Sequence, residues 1–327
     1  MELLHTEVDL KIWRIITPDA HVPARVVRYL MGSIGYEMYR AAVQDHAYWR
    51  LYYREALAGH SVPGVIDHLY LAEIDGQFAA RLWFAYSTRT GRGNFGNVFT
   101  EPEFRRRGLM NTLLQYCVED FQASPARMLC CSSGSKYAVK SYCRQGFKLI
   151  FPGETGPLCL SKSDFYREAA EAYGSLEPLT LRPGVLADQF ECDKFLFYLP
   201  EMYGQEFNRR TGPAARISDY RTAFQEVISG NAVLQVAETS RGDIAGYAFA
   251  VREYNQNCMD YVIHPKADNA DAAALLRSTA AEFSRQFQCQ PLLYVKAGIQ
   301  AREALAQDAG MVNVGGVPGE CTVYRLP

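Results

Sequence analysis

A short run of positive charge stands where a predicted strand passes into a predicted helix. The stretch TEPEFRRRGLMNTLL covers residues 100–114 and places Arg105, Arg106 and Arg107 directly before Gly108. A helix N-terminus attracts anions because its first N–H groups lack partners and its dipole is positive there. Glycine lets a ligand approach the backbone closely. These residues suit a pyrophosphate, with a solvated basic turn as the alternative.

Hydrophobic periodicity predicts the elements on either side of this turn. Residues 94–100 (NFGNVFT) favour a strand that Pro102 ends, and the apolar positions from Met110 onwards follow the i, i+3, i+4, i+7 spacing of an amphipathic helix. The elements that follow are a strand at 127–133, a helix near 136–145 that ends at Gly146, and strands near 147–150 and 157–161.

The residues before the turn predict the rest of a sheet. The composition favours a strand at 11–17, helices at 22–30 and 36–58, and two strands separated by Asp75-Gly76. An Asp-Gly pair is a strong hairpin signal because a type I′ turn needs positive φ at both central residues. The first half therefore predicts a mixed sheet with helices packed on it.

Composition and charge indicate a globular protein and argue against several kinds of partner and site. The 327 residues are long for a single core, and 48% of them are hydrophobic while 21% are charged, as in ordinary globular proteins. A net charge of −2 argues against a nucleic-acid partner, and no apolar run is long enough to span a membrane. The nine cysteines show no C-x-x-C pairing, so we predict no metal site. Without a signal-peptide pattern at the N-terminus, the expected location is cytoplasmic.

A second motif lies on the next helix and its exit. The stretch SKYAVKSYCRQGF (135–147) carries Ala138, Tyr142, Arg144, Gly146 and Phe147 at fixed offsets. Together with PEFRRRGLM, this pattern resembles the GNAT acyltransferase superfamily. The resemblance covers the phosphate-binding turn and the later helix, in the order in which that fold has them.

The resemblance implies an acyl-CoA site in the notch where the strand ending at Thr100 separates from MLCCSS. Tyr142 would be the general acid that protonates the thiolate leaving group, and Glu101, beside the thioester, the candidate base. The other candidates for the base are Asp67, His68 and Glu73. The residues implied to bind the donor are Phe99, Thr100, Arg105, Arg106, Arg107, Gly108, Leu109, Met110, Ser133 and Ala138.

Two positions depart from the family pattern. Met110 stands where the family usually has Gly or Ala, and Ser135 stands where many members carry Asn. The bulky Met110 side chain would either crowd a diphosphate or face the core. Both departures bear on whether the donor is acetyl-CoA or another acyl-CoA.

The second half repeats the order of elements of the first, beginning with a predicted strand at 178–184 (PLTLRPG) and helices near 184–199 and 214–229. Nearly the same number of residues separates Pro265 from Gly310 as separates Pro102 from Gly146, which indicates a duplicated unit. Counting from Pro265, the places of Arg105, Arg107 and Gly108 fall on residues without positive charge, Asp268, Ala270 and Asp271. The place of Tyr142 falls near Leu305 or Ala306. The second half therefore resembles a GNAT fold without the CoA motif.

The predicted fold class is α/β (α+β), with two tandem GNAT-like domains that each have a mixed, mostly antiparallel sheet flanked by helices. The expected boundaries are 1–162 for the domain with the acyl-CoA site, 163–177 for a connecting helix and linker, and 178–327 for the degenerate domain. The sequence leaves the oligomeric state open.

The expected function is an acyl-CoA-dependent N-acyltransferase, with acetyl-CoA as the expected donor, that acts on a small-molecule amine. The alternatives are transfer from a carrier-protein-bound donor, a non-catalytic acyl-CoA-binding module, and an interaction protein with a vestigial site.

Overall fold

The chain forms two compact units, Met1–Glu168 and Ala169–Pro327. Each contains one sheet that mixes parallel and antiparallel strands, flanked by helices. The protein is described by a computed structural model that covers residues 1–7, 9–18, 21–30, 46–57, 62–165, 167–168, 179–192, 211–217, 219–252, 256–264 and 267–327.

The first unit is built on an eight-stranded sheet. Its strands are β1 (Glu2–Thr6), β2 (Leu10–Thr17), β3 (Val65–Ile74), β4 (Gln77–Ser87), β5 (Arg92–Thr100), β6 (Met128–Ser133), β7 (Lys148–Leu149) and β8 (Gly156–Ser161). Its helices are α1 (24–30), α2 (His46–Leu57), α3 (Leu109–Ala123) and α4 (Lys136–Arg144). The strand order is β1-β2-β3-β4-β5-β6-β8-β7. Among the described strands of this sheet, β5 and β6 form the one parallel pair.

Local sequence explains the elements that hold the site. Asp75 and Gly76 adopt φ values of 49° and 79°, as the predicted turn between β3 and β4 requires. Helix α3 buries an apolar stripe against the sheet, formed by Leu109, Leu113, Leu114, Cys117 and Phe121. Gly146, with φ 97°, follows α4 in the left-handed conformation expected beyond a helix end.

The two parallel strands pair over only part of their length and then separate. Strand β5 pairs with β6 at three positions only, the last of which joins Asn94 to Cys130. Beyond this pair β5 continues along β4, while β6 continues along β8. The result is a fork in the sheet that begins after Asn94 and Cys130 and opens towards the ends of both strands.

Apolar residues cover both faces of this sheet. Helices α3 and α4 share a core with β3, β4 and β5, which includes Leu82, Phe84 and Phe95. On the opposite face an aromatic cluster joins α2 to β4, with Trp83 ring centroids 5.5 Å from Trp49 and 5.8 Å from Tyr52. Packing on both faces fixes the position of the fork.

The second unit has a seven-stranded sheet in the order β14-β15-β13-β12-β11-β10-β9. The strands are β9 (Thr180–Pro183), β10 (Ala232–Glu238), β11 (Ile244–Val251), β12 (Cys258–Ile263), β13 (Leu292–Lys296), β14 (Val312–Val317) and β15 (Cys321–Arg325). The helices are α5 (Gln189–Cys192), α6 (Tyr220–Ile228), α7 (Asn269–Phe287) and α8 (Gln300–Asp308). Strands β12 and β13 are parallel, as β5 and β6 are.

Most predicted elements are present, and the fold class is confirmed. The sequence prediction missed three strands, β1, β14 and β15. Every residue of β14 (VNVGGV) is exposed, so this strand lacks the buried apolar face that produces a recognisable alternation. The predicted helix at 214–229 begins later, at Tyr220, after a short 3₁₀ turn. Residues 36–45 and 58 of the helix predicted at 36–58 lie outside the described residues. So do residues 193–199 of the helix predicted at 184–199, and Pro265.

Candidate active site

The turn before α3 has a backbone shaped by two left-handed residues. Arg106 has φ 64° and Gly108 has φ 79°, and Gly108 caps α3 without any side-chain hydrogen bond. Within the described chain, the N–H groups of residues 106–110 donate to no other protein group. These five donors and the positive end of the α3 dipole form a site for an anion.

The three arginines have different surroundings. The Arg105 Nε atom donates to the carbonyl oxygen of Thr100 at 3.0 Å, which ties the turn to the end of β5. The Arg107 guanidinium lies 5.2 Å from the ring centroid of Phe104. Arg106 and both of its neighbours are exposed to solvent. Arg105 therefore shapes the turn, while Arg106 and Arg107 add positive charge around its donors.

An open hollow of about 210 Å³ lies at this helix N-terminus. Its lining comes from the end of β5, the basic turn, the first residues of α3 and one residue of α4: Thr100, Phe104, Arg105, Arg106, Arg107, Gly108, Leu109, Met110, Asn111 and Ser141. Met110 is half-buried and packs against the core while it lines the hollow. Its bulk is thus partly directed into the protein, and the hollow remains open beside it.

Phe99 and Thr100 lie on β5 beyond the fork. They pair with Arg81 and Ala80 of β4, and both are half-exposed. In the described part of the chain, the edge of β5 that faces away from β4 has no strand partner beyond Asn94. An extended chain with amide groups could therefore hydrogen-bond along this edge as an added strand would.

Tyr142 lies at the base of the fork. Its ring packs against Phe95 at 5.1 Å and Phe147 at 5.8 Å between centroids. Burial raises the pKa of Tyr142 above its usual value, and the nearby thiol of Cys131 raises it further. Phe95 and Cys131 are the first residues of β5 and β6 beyond the last paired positions. Tyr142 thus packs against β5 and lies near Cys131 of β6 where the two strands separate.

The remaining predicted donor residues lie between β6 and α4. Ser133 ends β6, and its hydroxyl accepts a hydrogen bond from the Ser135 N–H at 3.2 Å. The Ser135 hydroxyl accepts in turn from the Ala138 N–H at 3.4 Å and caps α4. Ala138 is half-buried against the core. Serine at position 135, where many family members carry Asn, therefore serves as a helix cap.

Glu101 directly follows β5 and is half-exposed. Its N–H donates to the Ala79 carbonyl at 2.9 Å, which holds the backbone against β4. Burial raises the pKa of Tyr29 to about 12; nearby Arg81 opposes this rise and nearby Glu101 adds to it. The Glu101 carboxylate therefore lies close to Tyr29, at the open end of the fork.

The other three candidates for the base are engaged in structural contacts. Asp67 is buried and accepts hydrogen bonds from Thr17, Tyr52 and Trp83. Glu73 accepts from both terminal nitrogens of Arg25 and from Trp13, and this pairing with Arg25 holds the pKa of Glu73 below its usual value.

His68 is buried on the α3 face of the sheet, where its ring stacks on Phe84 with centroids 4.2 Å apart. It therefore packs in the core instead of facing the open end of the fork. These contacts leave Glu101 as the candidate base nearest the site.

Two residues of the site carry no motif signal and were missed. Asn97 adopts φ 53° at a bulge where β5 shifts register against β4. Its side chain donates to the Tyr53 hydroxyl at 2.6 Å and accepts from Arg81 at 3.2 Å. Ser141 lines the hollow from α4. Asparagine is enriched at positive φ, which is a weak signal in a sequence that otherwise reads as a strand.

The corresponding places in the second unit are filled by its own side chains. The paired positions of β12 and β13 end at Met259 and Leu293, and Asp260 is the next residue of β12. The Asp260 carboxylate accepts a hydrogen bond from Arg302 of α8, and both side chains are buried. At the N-terminus of α7, Asp268 accepts from the Ala270 N–H at 2.8 Å.

The family model that matches this chain lies within its first unit. Residues 29–147 match the model of the acetyltransferase (GNAT) family. A search of curated proteins finds no match.

Among solved structures, a tandem GNAT protein from the clavulanic acid biosynthesis pathway is 15% identical with a TM-score of 0.41, over 97% of this chain and 98% of its own. A GNAT acetyltransferase from Brucella melitensis, in complex with acetyl-CoA, is 16% identical with a TM-score of 0.33, over 46% of this chain and 90% of its own. The PaiA N-acetyltransferase from Thermoplasma acidophilum, in complex with coenzyme A, is 11% identical with a TM-score of 0.30, over 46% of this chain and 99% of its own.

The matched range includes the basic turn, the fork and Tyr142. At these TM-scores the structural similarities add little, so the assignment depends on the family model. No helix within the described residues is long and apolar enough to cross a membrane. Residues 29–147 of the first unit therefore match the model of the acetyltransferase (GNAT) family, the acyltransferase class that the two motifs predict.

Proposed function

We propose that the first unit transfers an acyl group, most simply acetyl, from coenzyme A to the amine of a small molecule. The observation that carries this proposal is the position of Tyr142, whose ring lies at the base of the fork while the basic turn lies at its open end. Such a slot suits a ligand with a reactive group at one end and a diphosphate at the other. Acyl-CoA has this form, and acetyl-CoA and CoA are the ligands of the Brucella and Thermoplasma proteins.

Binding of the acyl-CoA donor would depend more on backbone groups of the protein than on its side chains. The N–H groups of residues 106–110 would hold the diphosphate, with Arg106 and Arg107 supplying charge. The free edge of β5 at Phe99 and Thr100 would receive the amide groups of the pantetheine arm. Ser133 and Ala138 would line the other side from β6 and α4.

The chemistry needs a proton donor and a proton acceptor. The donor substrate supplies a thioester whose carbonyl accepts attack by an amine and whose sulfur leaves as a thiolate. The raised pKa of Tyr142 keeps its hydroxyl protonated at neutral pH, so it can give a proton to that sulfur. Glu101 is the residue proposed to take the proton from the amine, directly or through water.

The second unit is proposed to bind no acyl-CoA. A buried ion pair, Asp260 with Arg302, lies where the first unit has its fork. Carboxylates at Asp268 and Asp271 stand at the N-terminus of α7, where they stabilise the helix dipole but would repel a diphosphate. The domain boundaries predicted from the sequence, with a donor site in residues 1–162 and none in 178–327, remain part of this proposal.

A thermal-shift titration with acetyl-CoA and free CoA tests donor binding. Ligand that binds the folded state alone raises Tm with concentration, and we expect Arg107→Glu to remove that rise. Arg277→Glu, an exposed arginine of α7, is the matched control. No rise with the unaltered protein would refute the acyl-CoA proposal and favour a carrier-bound donor or a vestigial site. A rise without acetyl transfer to any of a panel of amines would favour a binding module.

A further inference from the structure

Two cysteines face each other across strands β6 and β8 of the first unit. Cys130 and Cys159 are register partners in this antiparallel pair, and both are almost fully buried thiols. The adjacent residues Cys131 and Leu158 belong to the core that α3 and α4 share with the sheet. Because successive side chains of a strand point to opposite faces, Cys130 and Cys159 lie together on the face away from that core.

The register brings the two Cα atoms within the range of a disulfide bond. Directly opposed residues of antiparallel strands have Cα atoms about 4.5 or 5.5 Å apart, depending on whether the pair is hydrogen-bonded. Disulfides span Cα separations of about 4.4–6.8 Å. Either kind of pair would therefore accept the bond with little movement of β6 or β8. The Cys130 thiol is close enough to raise the pKa of Cys159, and burial raises it further.

A small hollow gives access to one of the two thiols. It has a volume of about 110 Å³ and lies beside β7 and β8, where Ser163, Asp164 and Phe165 complete its lining. Cys159 lines this hollow, whereas Cys130 is not among the lining residues. A small reagent that entered the hollow would therefore meet Cys159 first.

We propose that Cys130 and Cys159 form a redox-active dithiol that closes to a disulfide when a low-molecular-weight disulfide enters this hollow. The Cys159 thiolate attacks that disulfide, which forms a mixed disulfide and releases one small thiolate. The Cys130 thiolate then attacks the Cys159 sulfur, and the second small thiolate leaves. The two protein thiols are oxidised, the small disulfide is reduced to two thiols, and these take up the two protons. This inference goes beyond the proposed acyl transfer and does not depend on it.

The cross-link would lie at the base of the fork. Cys130 is the β6 member of the last β5–β6 pair, in which its partner is Asn94. A Cys130–Cys159 bond would therefore fasten β6 to β8 at the position where β6 leaves β5. It would also close a loop that contains α4, which restricts the unfolded chain and should raise Tm.

The exchange reaction should be slow at neutral pH. Besides Cys130 and burial, nearby Cys131 and Glu168 raise the pKa of Cys159, so little of its attacking thiolate is present. The other charged groups at the hollow are Asp164 and Lys148, which is the register partner of Cys159 on β7. We expect the rate of cross-linking to rise about tenfold per pH unit between pH 7 and pH 9, as the thiolate fraction does.

Peptide mapping by mass spectrometry tests the proposal on the full chain. The protein is incubated with bis(2-hydroxyethyl) disulfide at pH 8.5, the remaining thiols are blocked, and the chain is digested. We expect peptides that contain Cys130 and Cys159 to be joined, with the loss of two hydrogen atoms. Tm should rise by about 5–10 °C, and a dithiol reductant should reverse both changes. The exposed Cys143 should form a mixed disulfide, which shows that the reagent is active.

Single variants test the pair and the order of attack. Cys130→Ala should stop at a mixed disulfide between Cys159 and the reagent, and Cys159→Ala should leave Cys130 unmodified. Cys131→Ser, which alters the adjacent thiol on the other face, is the matched control and should keep the cross-link. The ligand-free Tm of each variant checks that it is folded.

Two outcomes would overturn the proposal. If Cys143 is fully modified while Cys130 and Cys159 remain thiols, the pair only packs as two small apolar side chains. If the cross-link persists in Cys130→Ala and is lost in Cys131→Ser, the partner of Cys159 is Cys131, and the assignment from the register is wrong.

Discussion

Tyr142 differs from Tyr70 and Tyr52, two other buried tyrosines of the first unit, in the surroundings of its hydroxyl. Tyr70 donates to Asp120 at 2.5 Å and Tyr52 to Asp67 at 2.7 Å, as buried hydroxyls normally do. In the described chain the Tyr142 hydroxyl has no such partner. A buried ring with an uncommitted hydroxyl at the base of the fork suits a proton donor better than a structural role.

Replacing this hydroxyl separates turnover from binding. We expect Tyr142→Phe to reduce kcat by about 10²- to 10⁴-fold, the usual contribution of a general acid, because the ring packing on Phe95 and Phe147 survives. CoA affinity by titration should stay within about twofold, since the diphosphate contacts lie on the α3 turn. Unchanged turnover in the variant would remove Tyr142 from the mechanism.

The pH dependence of turnover should reflect the raised pKa of Tyr142. Burial raises the pKa of Tyr142 above the model-peptide value of about 10, so the protonated form persists through that pH. Turnover should therefore show no alkaline decline from this group between pH 7 and about 10. A decline of kcat in that interval that is absent in Tyr142→Phe would contradict the raised pKa of Tyr142.

At the level of elements, the fork depends on close contact between β4 and β5. A Cβ atom added at Gly93 would lie 1.9 Å from the carbonyl oxygen of Ala85, whereas one added at Gly96 would meet nothing nearer than 3.9 Å. We expect Gly93→Ala to destabilise the protein by about 1–3 kcal/mol through overpacking, and Gly96→Ala to be nearly neutral. Thermal unfolding of the two variants checks this, and equal Tm values would contradict it.

Asp120 of helix α3 forms hydrogen bonds with two side chains of the sheet. Its carboxylate accepts from Arg14 at 2.6 Å and from Tyr70 at 2.5 Å. Burial alone would raise the pKa of Asp120, but these hydrogen bonds and nearby His68 lower it to about 2. A lowered folded pKa gives stability that is present above the unfolded value, near 3.8, and is lost as pH falls towards 2.

Replacing the Asp120 carboxylate should therefore change the free energy of unfolding less at acidic pH than at pH 7. We expect Asp120→Asn to lower the free energy of unfolding by about 1–3 kcal/mol at pH 7, with the difference shrinking between pH 4 and pH 2. Glu119→Gln changes an exposed carboxylate on the same helix and serves as the control. A pH-independent difference, measured by denaturant titration, would show that the charge of Asp120 is not the cause.

The sequence predicts elements well where one face is buried and poorly where none is. The hairpin at Asp75-Gly76 and helix α3 follow from turn chemistry and a 3.6-residue stripe, both of which are local. The separation of β5 from β6 after Asn94 depends on pairing between distant residues, so no local pattern fixes where it begins. The two motifs nevertheless indicated the turn and Tyr142. They gave no indication of Asn97, whose positive φ arises from a change in register.

Across the whole molecule, the two units share an arrangement of strands but differ in the residues where their parallel strands separate. Both units have a parallel pair of strands that separates after a short pairing. In the second unit Leu305 and Ala306, near the predicted place of Tyr142, are buried in the core. Arg302 and Asp260 form a buried ion pair, so removing either side chain would leave the other charge uncompensated in the interior of this unit.

This difference predicts the stoichiometry of donor binding. We expect titration calorimetry to find one CoA per chain, because the N–H groups before α3 are free while those at the start of α7 have Asp268 as their own cap. Arg107→Glu should abolish that single event, and Asp268→Ala should leave it unchanged, since removing one carboxylate does not vacate the space that Arg302 fills. Two binding events, or one that survives Arg107→Glu, would mean that the second unit holds a donor after all.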